Sequence, residues 1–214
     1  MLVRAVVIAV ALVAAAACGA EPNAASPATA DPAATGAPSA AVSSPVADPA
    51  GAAADAILQE FGYPDTDPVH LIDALDATPV AARPAGLMAS VRPGELQLTA
   101  PDGRAAALSL PADRFYLSIA PYVNGTHECH FHSLTTCRGE LSGAEFDVTV
   151  RNAATGEVLV DGPRAAFDNG FVGMWLPRGI TADVTIGYQG RQANATVSTA
   201  ANDAATCLTT MQLL

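Results

Sequence analysis

Three of the four histidines in this 214-residue chain, and two of its four cysteines, fall within HECHFHSLTTC, His127 to Cys137. Thiols and imidazoles bind soft metals, and thiols also pair as disulfides or carry redox chemistry. Three chemistries are therefore open. A Cys129–Cys137 disulfide would close a short loop and contribute about 2.6 kcal/mol by the chain-entropy relation. It would leave three histidines and Cys207 without a role. A soft-metal site would use Cys129 and Cys137, closed by Cys207 from the C-terminal segment, and would suit Cu(I) or zinc. A thiol redox centre would cycle the same sulfurs. The chain has no CxxC pair, so neither a zinc ribbon nor a thioredoxin motif is matched. If residues 127–132 are extended, His127 and Cys129 face one way and His130 and His132 the other. One site then gathers all three histidines only across a bend.

The N-terminus sets how many thiols are in play. MLVRAVVIAVALVAAAAC carries one positive charge, Arg4, then an apolar run from Ala5 to Ala17 that is too short to span a bilayer. Small residues precede Cys18. Residues 1–17 read as a signal peptide, and the cysteine that follows resembles a bacterial lipoprotein site. Lipidation of Cys18 would anchor the chain to the outer face of the cytoplasmic membrane, or in the periplasm, without a spanning segment. Its sulfur would become a thioether, leaving three thiols, an odd number for an oxidising compartment. Residues 19–51 are Ala/Pro/Ser-rich and lack any aromatic side chain. They cannot bury enough surface to offset chain entropy, so 18–51 reads as an anchored, disordered tether. Lys+Arg 10 against Asp+Glu 21 gives a net charge of −11. That balance argues against nucleic acid and anionic lipid surfaces as partners, and it suits cations.

The elements that must position these side chains change type along the chain. Ile57, Leu58 and Phe61, stopped by Gly62, predict one short helix. Asp67 as N-cap, Pro68 at the first position and the stripe Val69, Ile72, Leu75 predict a second. Leu96 and Leu98, then Leu108 and Leu110 across the Pro101–Gly103 turn, alternate as strands, and Phe115, Leu117 and Ile119 make a third. Beyond the cysteine segment, Phe146/Val148/Val150, Val158/Val160, Val184/Ile186/Tyr188 and the closing CLTTMQLL read as short strands with turns between them. Trp175 reads as a core aromatic and Asp168-Asn169-Gly170 as a turn. The fold class expected is α+β: helices on a small antiparallel sheet over 52–120, then a β-sandwich of transthyretin-like rhythm over 121–214.

RPAGLMASVRPGEL, DRFYLSIAPYV, THECHFHSLTTCRGEL, TGEVLVD, FDNGFVGMWLPR and CLTTMQL together resemble the bacterial CueP family of exported copper-binding proteins, over about residues 82–213. The resemblance implies copper binding in the cell envelope, with Cys129, Cys137 and Cys207 at the family's three cysteine positions. His132 and His127 also match its pattern. His130 stands where an aromatic residue is usual and receives no role. The function this implies is Cu(I) capture by three thiolates, with His132 as auxiliary ligand or orienting partner, for copper tolerance or delivery to a cuproenzyme. Zinc fits the same donors, and a homodimer is compatible with the pattern. The alternative is a thiol-based redox enzyme that reduces Cu(II) or Fe(III) or exchanges disulfides.

Overall fold

The computed structural model describes residues 49–214. The signal peptide, Cys18 and the tether up to residue 48 lie outside the described residues. Helix α1 spans Pro49–Glu60, so it starts inside the segment assigned to the tether. Helix α2 spans Pro68–Ala77. The Asp67 side chain accepts from the backbone N–H groups of Val69 and His70, and Pro68 opens the helix, as the sequence predicts. The buried stripe of α2 is Leu71, Ile72, Leu75 and Asp76, while Val69 is only half-buried.

Strands β1 (Met88–Val91), β2 (Glu95–Thr99) and β3 (Ala105–Ser109) form an antiparallel sheet in that order. Leu96 stands opposite Leu108 across the predicted hairpin, and Gly103 takes the positive φ its turn needs. Leu58, Leu71, Ile72 and Leu75 of the helices share one core with Ala89, Val91, Leu96 and Leu98 of this sheet.

The sandwich has two sheets. One is four-stranded, ordered β6 (Val158–Ala165), β5 (Glu145–Asn152), β8 (Thr181–Tyr188), β9 (Arg191–Ser198). The other places β4 (Arg114–Ile119) between β7 (Val172–Pro177) and the two-residue β10 (Cys207–Leu208). β4 runs antiparallel to β7 and parallel to β10, which sets Cys207 opposite Ser118. The sandwich thus takes a strand from the N-terminal side of residue 120. Phe115, Leu117 and Ile119 pack with Phe146, Val148, Val184 and Ile186 in its core. The alternate residues of β4 are buried on the opposite face. Tyr116 belongs to the helical core, and Ala120, just past the strand, lies among the cysteines. The class is α+β, with the sandwich and the helix-covered sheet meeting along β4.

Candidate metal centre

The cysteine segment is not a regular strand. Residues 132–134 pair along the free edge of β1: Val91 N–H donates to the His132 carbonyl at 2.8 Å and Leu134 N–H to that of Ala89 at 2.9 Å. The chain then makes one helical turn, in which Cys137 N–H donates to the Ser133 carbonyl at 3.0 Å. That turn swings the Cys137 sulfur back over its own start, where Ser133 N–H donates to it at 3.3 Å. Cys207 arrives on β10, held where the N–H groups of Thr206 and Cys207 donate to the His130 carbonyl at 3.0 and 3.1 Å. The Thr206 hydroxyl stitches the two segments, accepting from His132 N–H and donating to the Val91 carbonyl.

Cys129, Cys137 and Cys207 are free thiols. The Cys129 and Cys137 sulfurs are 3.6 Å apart, without the disulfide their spacing allows. Two donor groups emerge, each with all its ligand atoms within 4.8 Å of one another. One is His132, Cys137 and Cys207, all buried; the other is His127, Cys129 and Cys137, graded from exposed to buried. Cys137 belongs to both. The bend after residue 129 brings both His127 and His132 within reach of one sulfur, that of Cys137. His130 turns away, its ring nitrogen on the Asp203 carbonyl. Ala120 and Phe171 line the sulfurs with apolar surface.

His132 is fully buried and held at both ring nitrogens. Nδ1 lies 3.7 Å from the Cys207 sulfur, and Nε2 donates to Asp76 Oδ1 at 2.9 Å. Asp76 is completely buried on α2. Its Oδ1 also accepts from Asn169 Nδ2, and its Oδ2 accepts from the hydroxyls of Tyr116 and Ser118. A carboxylate at the back of an imidazole fixes ring orientation and raises its basicity, as behind many metal-binding histidines. Gly173, beside Ser118 on β7, keeps this arrangement open, because a Cβ there would strike the Tyr116 hydroxyl.

The electrostatics follow from these contacts. Burial opposes charge on His132, but the Asp76 carboxylate outweighs it and carries the imidazole up to about 9. Burial likewise opposes charge on Asp76, and His132 with the hydrogen bonds reverses the balance, so its pKa is lowered. Hydrogen bonds from Cys129 and Cys207, and from His132, hold the Cys137 thiol far below its usual range. Hydrogen bonding to Cys137 pushes Cys129 up to about 12, and the other two sulfurs drive Cys207 well above the thiol range. These directions favour negative charge on Cys137 over the other two sulfurs, and positive charge on His132. Arg83 adds positive charge, donating from Nη1 to the Cys137 carbonyl at 2.9 Å.

Sequence reasoning missed Asp76, Asn169 and Phe171. Asn169 does sit in the predicted turn, with Gly170 at positive φ, but its amide reaches inward to Asp76. Trp175 packs half-buried against the helical core, and its Nε1 donates to Asp73.

The family described as "Periplasmic copper-binding protein CueP" matches residues 70–212, a span that takes in every residue of the cluster. The chain belongs to the CueP family. The solved structure described as "Crystal Structure of S.CueP" is 35% identical to it, with a TM-score of 0.69 over 75% of this chain and 96% of that one. Comparison of the sequence with curated proteins gives no match. The CueP match begins inside α2, so α1 lies outside the family's span while Asp76 lies within it.

Proposed function

We propose that this CueP-family protein captures Cu(I) in the cell envelope through Cys129, Cys137 and Cys207, with His132 as an auxiliary ligand, for copper tolerance or delivery to a cuproenzyme. The observation that supports this most is the convergence of three free sulfurs and a carboxylate-backed imidazole around Cys137. Soft thiolates suit Cu(I), which makes no demand for a square plane, and hard cations have nothing to bind here. Copper displaces thiol protons, so affinity weakens on acidification. Zinc meets the same donors as a weaker competitor. Anchoring through a lipidated Cys18 keeps the site outside the cytoplasm. Mass analysis of the mature N-terminus tests this directly. Anaerobic titration with Cu(I) against a chromophoric competitor tests the capture itself. Single Cys→Ser changes at 129, 137 and 207 each weaken binding, and wild-type affinity in the Cys207→Ser protein would defeat the proposal.

A second reading is favoured by one distance, the 3.6 Å between the Cys129 and Cys137 sulfurs. Each thiol can give one electron to a Cu(II) ion, yielding two Cu(I), a disulfide and two protons. An external thiol reductant would close the cycle. Loss of two thiols per two Cu(II) reduced, with turnover only when reductant is supplied, is the signature of that activity.

A further inference from the structure

The two donor groups differ in access while sharing one sulfur. His127 and Glu128 are exposed and Cys129 is half-buried. A cleft of about 300 Å³ is lined by Tyr122, Thr126, His127, Cys129 and Thr209. A second, of about 370 Å³, is lined by His127, Arg138 and Glu140. His132 and Cys207 are 0% and 2% exposed, packed with the fully buried Phe171 ring. That ring touches both imidazoles, with centroids 6.3 Å from His127 and 4.6 Å from His132. An ion arriving from solvent meets His127 and Cys129 before it can reach Cys207.

Resting on the copper-capture reading, we infer that the protein has two overlapping copper positions, an outer one on His127, Cys129 and Cys137 and an inner one in which Cys207 and His132 join Cys129 and Cys137, and that copper passes between them without leaving Cys137. The ion remains Cu(I) throughout. Its bond to the His127 imidazole is replaced by bonds to the Cys207 sulfur and His132 Nδ1, while Cys129 and Cys137 stay on the ion. The proton displaced from the Cys207 thiol is released to solvent as copper binds. Exchange around a retained thiolate avoids ever presenting a bare ion to the apolar wall of Ala120 and Phe171, where an unpaired charge is costly.

The loop bearing His127 is built to hold it in place. Glu140 accepts from the N–H groups of Val123, Asn124 and Gly125, and from the Asn124 side-chain amide. Thr126 donates to the Thr209 carbonyl at 2.7 Å. These contacts set the outer histidine over the sulfurs rather than leaving it on a free loop.

Stopped-flow transfer of Cu(I) between its bicinchoninate complex and the anaerobic protein tests the relay, with wild type, His127→Ala and Glu140→Gln compared. Uptake and release should slow together in His127→Ala, each by about tenfold, equivalent to about 1.4 kcal/mol of barrier. Glu140→Gln should slow both to a lesser degree, because it loosens the loop and leaves every donor atom in place. Wild-type uptake in His127→Ala overturns the relay while leaving copper capture standing. Faster release with normal uptake overturns it too, since that marks His127 as a ligand of the final site. A wild-type protein that takes no Cu(I) removes the capture reading, and the relay with it.

Discussion

The two faces of β4 carry different kinds of burial. Phe115, Leu117 and Ile119 enter the sandwich core, where they meet other apolar side chains on every side. Tyr116, Ser118 and Ala120 face the helices and the sulfurs, and the first two spend their hydroxyls on one carboxylate. The first face works by volume: apolar side chains of similar size can replace one another at modest cost. The second works by atoms, because each oxygen or nitrogen there completes a partner that is buried with it. A strand buried on both faces can therefore join a stabilising core to a reactive site, and damage to the two should separate in experiment.

Asp76→Ala should be the most severe change on the reactive face. Removing one member of a buried pair leaves the other uncompensated and costs about 3–5 kcal/mol. Losing the partner behind His132 should also lower copper affinity by about 10–100-fold. Denaturant titration and Cu(I) competition on the same sample check both. Stability loss without affinity loss would show that Asp76 serves the fold alone.

Leu117→Ala should destabilise by about 2–5 kcal/mol through the cavity it leaves. The folded fraction should bind copper as wild type does. A parallel fall in affinity would break the distinction between the faces. Tyr116→Phe should be milder, about 1.5–3 kcal/mol, since it deletes one hydrogen bond to a charged acceptor and keeps the ring. Its measurable mark is a shift in the His132 ring resonances, because Asp76 Oδ2 then keeps only the Ser118 hydroxyl.

The smallest effect concerns pH. His132 rises from an ordinary 6.5 to about 9, so its contribution is full below 6.5 and is lost as pH climbs through about 9. Asp76 is lowered from 3.8, so its contribution is lost only as pH falls below that value. Cys137 is lowered from 9.0, and its contribution grows over the range in which that of His132 declines. The metal-free wild type should therefore change little between pH 6.5 and 9. Cys137→Ser should lose stability across that interval, because the His132 contribution is no longer offset. Urea denaturation at the two ends is the check, and a flat Cys137→Ser profile would contradict the ion pair.

The contrast between the faces also explains what could be read from sequence. The hairpin of β2 and β3, the strands β5 and β8 and the cap of α2 follow from alternation and capping residues, which are local signals. β4 reads as a nearly continuous apolar run because both its faces are buried. Its placement beside β7 and β10 depends on chain far away, and β10 is too short to show a period. The cysteines stood out by scarcity. Asp76 did not, although an acid four residues after Ile72 and next to Leu75 on a helix sits within an apolar stripe. Its role appears only when partners 40, 56 and 93 residues away reach it. Likewise no spacing rule could show that His127 and His132 both come within reach of the Cys137 sulfur.

The account stands on copper being bound by sulfur around Cys137. X-ray absorption at the copper edge of the anaerobically loaded protein addresses this most directly. The expected first shell is dominated by sulfur, and it loses sulfur in both Cys137→Ser and Cys207→Ser. A shell of nitrogen and oxygen alone, unchanged by either substitution, would contradict it.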